Sequence, residues 1–83
     1  MFVDVFTAGE AFQGAASYYE QGLACYSTVG TVDLIEVHMW FNLAAMSGEA
    51  GAAAARADVA SQLTAPEIAE AQRRARIYRE GRA

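Results

Sequence analysis

The sequence predicts an all-α protein made of two successive antiparallel αα-hairpins, and three observations support this fold class. Nineteen of the 83 residues are alanine, which has the highest helix propensity of the amino acids. Apolar residues recur at intervals of three and four, the spacing of one face of a helix. Capping-box patterns, an acceptor side chain with an acid three residues later, mark three helix starts: Thr7 to Glu10, Asp33 to Glu36 and Thr64 to Glu67.

The first helix is expected to run from about residue 8 or 10 to residue 27. One face of it carries apolar residues at helical spacing: Phe12, Ala16, Tyr19, Leu23 and Tyr26. Its glycines, Gly9, Gly14 and Gly22, weaken it by roughly 1 kcal/mol each relative to alanine. Glycine can compensate by letting a neighbouring helix approach closely, so this helix is expected to depend on packing.

The second helix, at about residues 33–47, is apolar on nearly every side. One face carries Leu34, Val37, Phe41 and Ala44, and another carries Ile35, Met39, Leu43 and Met46. A helix without a wide polar face is normally covered on more than one side, so this helix is the candidate for the centre of the core. Gly48 is suited to the left-handed conformation that ends a helix.

The third and fourth helices are expected at about residues 49–63 and 65–80. The inward stripe of the third is predicted to be Ala50, Ala53, Ala57, Ala60 and Leu63, with Arg56 on the solvent side. The inward residues of the fourth are predicted to be Ile68, Ala71, Ala75 and Tyr78. Glu70 is placed to pair with Arg73 or Arg74 on the same face.

Short connections make neighbouring helices antiparallel, which pairs the four helices into two hairpins. The chain is predicted to be a single domain over residues 1–83. It divides into an N-terminal extension (1–7), a first hairpin (8–48), a second hairpin (49–80) and a tail (81–83).

A specific pattern runs through the first hairpin: Tyr26, Asp33, then Trp40, Ala44, Ala45 and Gly48. This pattern resembles the Sel-one-like repeat, a helix-hairpin relative of the tetratricopeptide repeat, in which a Trp is followed by Ala-Ala-x-x-Gly. The match spans about residues 15–48. The run from Thr64 to Gln72 is similar to the closing helices of bacterial members.

The resemblance implies a short bacterial member of this family, an α-solenoid that acts as an adaptor in protein complexes. The residues that it implies hold the repeat together are Gly22, Tyr26, Trp40, Ala44, Ala45 and Gly48. Two positions depart from the family pattern: Gly22 is displaced by one residue, and Val37 stands where the family commonly has alanine.

Charge and composition narrow the function classes. Residues 1–65 carry seven acids and one arginine, and an acidic body argues against nucleic-acid binding. The five arginines of residues 66–83 are interpreted as a solvated helix end, with docking to an acidic surface or a phosphate as the alternative. One Cys and one His are too few for a closed zinc site, so neither a metal nor another cofactor is expected.

The apolar stretch from Val37 to Gly48 has twelve residues, whereas a membrane span needs about 20, so no transmembrane segment is expected. The first residues lack the positive charge of a secretory signal. A cytoplasmic protein is therefore expected, with peripheral association with a membrane complex as an alternative.

The candidate catalytic groups are the Cys25 thiol with His38 as its base, and the carboxylates of Glu10, Glu20, Glu36 and Glu49. A lone Cys on an apolar helical stripe is more often a core residue, and His38 is interpreted as a packed imidazole. Most of the carboxylates fit helix caps and first turns. No catalytic residue is assigned, and the chain is not expected to be an enzyme.

Repeat arrays normally need three or more units to bury their apolar faces, and this chain has at most two hairpins. The apolar N-terminal end is therefore expected to be buried, either against the first hairpin of the same chain or in a contact with another chain. The binding role is assigned to this end and to the groove beside it. The candidate partner-binding residues are Phe2, Val5, Phe6, Tyr18 and Trp40.

The sequence thus predicts a non-catalytic protein–protein interaction module. Its expected partner is another protein or a larger protein complex, and a second copy of the chain is one candidate. The alternative is a small accessory structural subunit that is bound permanently in a larger complex, including one at a membrane. Obligate contacts of this kind are large, whereas those of an adaptor exchange.

Overall fold

A computed structural model describes residues 17–27 and 32–81, and these residues form four α-helices. The helices are α1 (Tyr18–Tyr26), α2 (Leu34–Met46), α3 (Ala52–Ala60) and α4 (Ala65–Gly81). No strand occurs within the described ranges, and the all-α class is confirmed. The predictions for Phe2, Val5 and Phe6, and for the first capping box, lie outside the described residues.

Ser17 starts α1 with a capping box that the sequence analysis did not use. Its backbone is extended, with φ −65° and ψ 161°. Its Oγ accepts a hydrogen bond from the Glu20 N–H at 3.0 Å, and the Glu20 carboxylate accepts one from the Ser17 N–H at 3.1 Å. An extended residue interrupts a helix. The predicted continuous helix from residue 8 or 10 to residue 27 is therefore wrong.

The second helix forms the centre of the core, as predicted. Four of its apolar residues are at most 2% exposed: Val37, Phe41, Leu43 and Ala44. Asp33 caps its first turn, since Oδ1 accepts hydrogen bonds from the N–H groups of Ile35 and Glu36 at 3.1 and 3.2 Å. Among the described helices, the extensive contacts are those of α2 with α1, with α3 and with α4.

α1 packs antiparallel to α2 through a close approach at Gly22. Near the start of α1, the Tyr19 N–H donates to Glu49 Oε1, beyond the end of α2, at 3.3 Å. Gly22, further along α1, lies against Phe41 in the middle of α2. A Cβ at position 22 would be 2.5 Å from Phe41 Cε1, so this packing requires a residue without a side chain.

Two glycines with positive φ shape the turn between α2 and α3. Gly48 has φ +79°, which confirms the predicted left-handed end of the second helix. Gly51 has φ +82° and caps α3 without a side-chain hydrogen bond. The third helix consequently begins at Ala52, later than predicted.

α3 also runs antiparallel to α2, but it buries a different stripe from the predicted one. Arg56 Nη1 donates to Asn42 Oδ1 at 2.6 Å, and further along α3 Val59 packs against Val37, near the start of α2. The buried residues of α3 are Ala52 and Val59. The predicted stripe is wrong, since three of its members are exposed: Ala50, Ala53 and Ala57. A run of alanines offers no contrast between faces, and the larger Val59 determines which face is buried.

α4 packs on α2 with Ala71 and Ala75 at most 1% exposed, as predicted. Its predicted capping box is confirmed. The Thr64 N–H donates to Glu67 Oε1 at 2.8 Å, and the Glu67 N–H donates to Thr64 Oγ1 at 3.3 Å. The fourth helix therefore starts where the sequence predicts, and its main contact is with α2.

Candidate partner-binding site

Three aromatic rings from three different helices meet in one place, and we call Tyr18, Trp40 and Tyr78 the aromatic cluster. Tyr18 stacks on Trp40 with ring centroids 6.2 Å apart and an interplanar angle of 23°. Tyr78 meets both rings edge-on, 6.0 Å from Tyr18 and 5.2 Å from Trp40. Stacked and edge-on pairs are favoured, at about 0.5–1.5 kcal/mol each. The ring contacts of the aromatic cluster therefore stabilise the packing of α1 and α4 on α2.

Each ring of the aromatic cluster is only partly buried. The indole Nε1 of Trp40 donates to Glu36 Oε2 at 3.3 Å, one turn earlier in α2, which fixes the orientation of the ring. Partly exposed Tyr and Trp side chains that are held in place are typical anchors of protein interfaces. The aromatic cluster is therefore a candidate partner-binding site.

The structure brings together two of the predicted partner-binding residues, Tyr18 and Trp40, and adds Tyr78. Tyr78 lies on the predicted inward face of the last helix, but its contact with Trp40 was not predicted. No local pattern relates residues 40 and 78, because their contact depends on how α4 crosses α2. The other predicted partner-binding residues, Phe2, Val5 and Phe6, are not among the described ones.

The residues predicted to hold a repeat together have different environments. Gly22 and Ala44 are buried, Ala45 is half-buried, and Gly48 has the left-handed backbone noted above. Tyr26, in contrast, is 44% exposed, and its hydroxyl accepts a hydrogen bond from Gln62 Nε2 at 3.4 Å. Tyr26 therefore contributes to the surface of α1 more than to the core.

A second cluster is polar and lies between α2 and α3, and we call His38, Asn42 and Arg56 the polar cluster. His38 and Asn42 are 2% and 8% exposed. Asn42 Oδ1 accepts the hydrogen bond from Arg56, which corrects the prediction that Arg56 faces solvent. Nδ1 of His38 has no hydrogen-bond partner within residues 17–27 and 32–81. Burial, and secondly the charge of Arg56, lower the pKa of His38 below its usual range.

Cys25 packs against the apolar cluster that contains Val37 and Phe41. Burial raises the pKa of the Cys25 thiol, and the carboxylates of Glu36 and Asp33 raise it further. Because the thiolate is the nucleophilic form, a raised pKa disfavours covalent chemistry at this position. Cys25 is thus a partly buried residue at the edge of this apolar cluster.

The candidate carboxylates within the described residues serve local structure. Glu20 belongs to the capping box of α1, Glu36 accepts from the Trp40 indole, and Glu49 accepts from the Tyr19 N–H. In the ranges 17–27 and 32–81, no group of three or more His, Cys, Asp or Glu side chains could hold a metal ion. The arrangement of these residues indicates caps and contacts between helices.

The predicted ion pairs of α4 are present. Glu70 accepts from Arg73 at 2.7 Å and from Arg74 at 2.8 Å. Hydrogen bonds from Arg73 and Arg74 lower the pKa of the Glu70 carboxyl to about 2. Arg76 and Arg79 are exposed on the same helix, near Ile77, which is 51% exposed.

Comparisons with known proteins found no match to this chain among family models, curated proteins or solved structures. Within the described part of the chain, no helix is both long enough and apolar enough to cross a bilayer. The functional conclusion is therefore drawn from the geometry of the site.

Proposed function

We propose that this chain is a non-catalytic, cytoplasmic protein–protein interaction module built on a short α-solenoid of the Sel-one-like kind. The aromatic cluster is the observation that carries the proposal. Its three partly buried rings are held by three helices, so the part of each ring that is exposed is already ordered before a partner binds. Such preorganisation reduces the entropy lost on binding.

The packing of α1 on α2 supports the first αα-hairpin. Among the described helices, α3 and α4 each pack mainly on α2 rather than on each other, so the second hairpin is supported by helix direction alone. α1 and α3 run antiparallel to α2, as described above. α4 starts beside the start of α2, because Glu67 and Asp33 line the same groove, and it ends beside the middle of α2, because Tyr78 meets Trp40. Alternating directions along the chain are those of consecutive αα-hairpins.

The proposed contact surface also includes the N-terminal segment with Phe2, Val5 and Phe6. This segment precedes α1 in the sequence, and α1 begins at Tyr18, directly after Ser17. Five apolar residues among the first six, including Phe2, Val5 and Phe6, form a segment that favours a covered location. A single partner that covers both regions would account for the two predicted sets of binding residues.

Affinity capture tests this function. The tagged full-length chain is used as bait in an extract of the source cells, and captured proteins are identified by mass spectrometry. The test variant is Tyr18→Ala, which removes one ring of the aromatic cluster. Its matched control is Tyr26→Ala, the same substitution at the other end of α1, at an exposed residue outside the cluster. Circular dichroism verifies that both variants are helical.

The proposal predicts a specific partner that the wild-type chain and Tyr26→Ala capture and that Tyr18→Ala loses. A second pair, Phe2→Ser and Phe6→Ser, is expected to weaken capture as well. If Tyr18→Ala does not fold, Tyr18→Leu replaces it, because leucine retains apolar volume without the ring. Equal capture by all variants, or no specific partner, would contradict the proposal. A partner that cannot be washed off under native conditions would favour the permanent accessory subunit.

A further inference from the structure

The polar cluster between α2 and α3 has no part in the proposed binding role. We infer that it makes the contact between these helices sensitive to acid, so that protonation of His38 loosens α3 from α2. This conformational device is independent of the identity of any partner. It follows from the burial of His38, the hydrogen bond between Arg56 and Asn42 beside it, and the contact of α3 with the polar cluster.

A proton on Nδ1 of His38 would be buried without an acceptor among the described residues. The side chain is 2% exposed, and Nδ1 has no partner within the described residues. An imidazolium has two N–H donors, and each needs an acceptor when it is buried. Asn42 Oδ1, one turn further along α2, already accepts a hydrogen bond of 2.6 Å from Arg56.

The charged group that acts on His38 is positive, so it opposes protonation of the imidazole. Arg56 is the charged group that shifts the titration of His38, and a guanidinium opposes an imidazolium. Titratable groups of the other helices packed on α2 have different neighbours. Tyr19 and Cys25 of α1 lie against the apolar cluster around Phe41, and Tyr78 and Arg74 of α4 contact Trp40 and Glu70.

Outside the polar cluster, α3 is held to α2 mainly by apolar packing. It has nine residues and no side-chain cap, and its buried residues are Ala52 and Val59. None of the ion pairs within the described residues involves α3. α4, in contrast, has a capping box and contributes to the aromatic cluster. Repulsion inside the polar cluster therefore acts on α3 first.

The direction of the pH effect follows from linkage. His38 in the closed state has a lowered pKa, whereas in an opened state its pKa returns to about 6.5. The open state then binds more protons in mild acid. The α2–α3 contact is thus fully stable above pH about 6.5 and weakens as the pH falls below it. One proton permits a change in the opening equilibrium of at most about tenfold per pH unit.

Amide hydrogen exchange between pH about 5 and about 7.5 tests this inference, a window in which His titrates. Exchange rates are divided by the intrinsic rate at each pH, which gives protection factors for α3 and α4 separately. We expect α3 to lose protection below pH about 6.5, by up to about tenfold per pH unit, and α4 to lose less. His38→Gln cannot be protonated in this range and is expected to abolish the pH dependence.

Arg56→Gln is the matched second variant, because glutamine can still donate to Asn42 but carries no charge. It is expected to reduce the pH dependence and to raise the pKa of His38. The chain has one histidine, so NMR titration of its ring provides a readout that does not depend on any variant folding. Protection of α3 that is constant with pH, the same loss in His38→Gln, or an ordinary titration midpoint for His38 would each overturn the inference.

Discussion

Gly22 lies where α1 comes closest to α2, and its environment explains a residue that weakens the helix on its own. The Phe41 ring and the Trp40 Cβ occupy the space that a side chain would need, at 2.5 and 3.2 Å from an added Cβ. Phe41 is 2% exposed and is packed against Tyr19, so its ring cannot simply move away. The lost helix propensity is therefore offset by the packing of the Phe41 ring.

Gly22→Ala is expected to destabilise the protein by about 1–3 kcal/mol, the range for overpacking in a core. Helix propensity alone would give the opposite sign, a gain of about 1 kcal/mol. The free energy of unfolding is measured by urea titration with circular dichroism. Gly81→Ala is the control, because nothing lies within 4 Å of a Cβ there, and its effect should be small. A stable Gly22→Ala protein would show that α1 does not pack as described.

Predictions for single residues were correct where the chemistry of the residue type favours one structural role. Gly48 has the left-handed conformation expected at the end of a helix, and Glu70 pairs with both Arg73 and Arg74. The environment of Arg56 was not predictable in this way. An arginine in an alanine-rich helix indicates a solvent-exposed face by its chemistry, but its acceptor, Asn42, lies on another helix. Such a partner cannot be identified without the packing.

Among the described helices, side-chain capping explains where α1, α2 and α4 start. The side chains of Ser17, Asp33 and Thr64 each accept a hydrogen bond from a backbone N–H in the first turn. Two of these starts were predicted, at Asp33 and Thr64. The start at Ser17 was missed, although Ser-x-x-Glu is present at 17–20, because apolar spacing appeared to continue through it. The capping pattern predicts a helix start at Ser17, whereas the apolar spacing predicts a continuous helix. The structure has the helix start.

Asp33→Ala is expected to cost about 1 kcal/mol, within a range of about 0.5–2 kcal/mol, because two N–H groups of α2 lose their acceptor. Asp33→Asn retains the acceptor and is the matched control. It loses only the ion pair with Arg74, whose atoms are 3.9 Å apart at an exposed position, and such pairs contribute little. Thermal unfolding measured by circular dichroism distinguishes the two variants. Equal losses would mean that charge, and not capping, matters at this position.

At the scale of the whole molecule, α2 organises the described fold. Its apolar character on nearly every side predicted a central position, and the contacts of α1, α3 and α4 with it agree. The sequence did not predict that the ring of Tyr78 reaches Trp40, since that contact depends on the path of α4 over α2. The strongest feature of the candidate site is therefore a property of the assembled helices.

The proposed binding of a protein partner at the aromatic cluster can be observed directly at Trp40, which is the only tryptophan in the chain. The chain is labelled with fluorotryptophan, and its fluorine NMR signal is followed during titration with the captured partner. The account predicts a saturable change at Trp40, with binding at least about tenfold weaker for Tyr18→Ala, or about 1.4 kcal/mol, and unchanged for Tyr26→Ala. Binding by calorimetry without a change at Trp40, and with equal affinity for both variants, would contradict it.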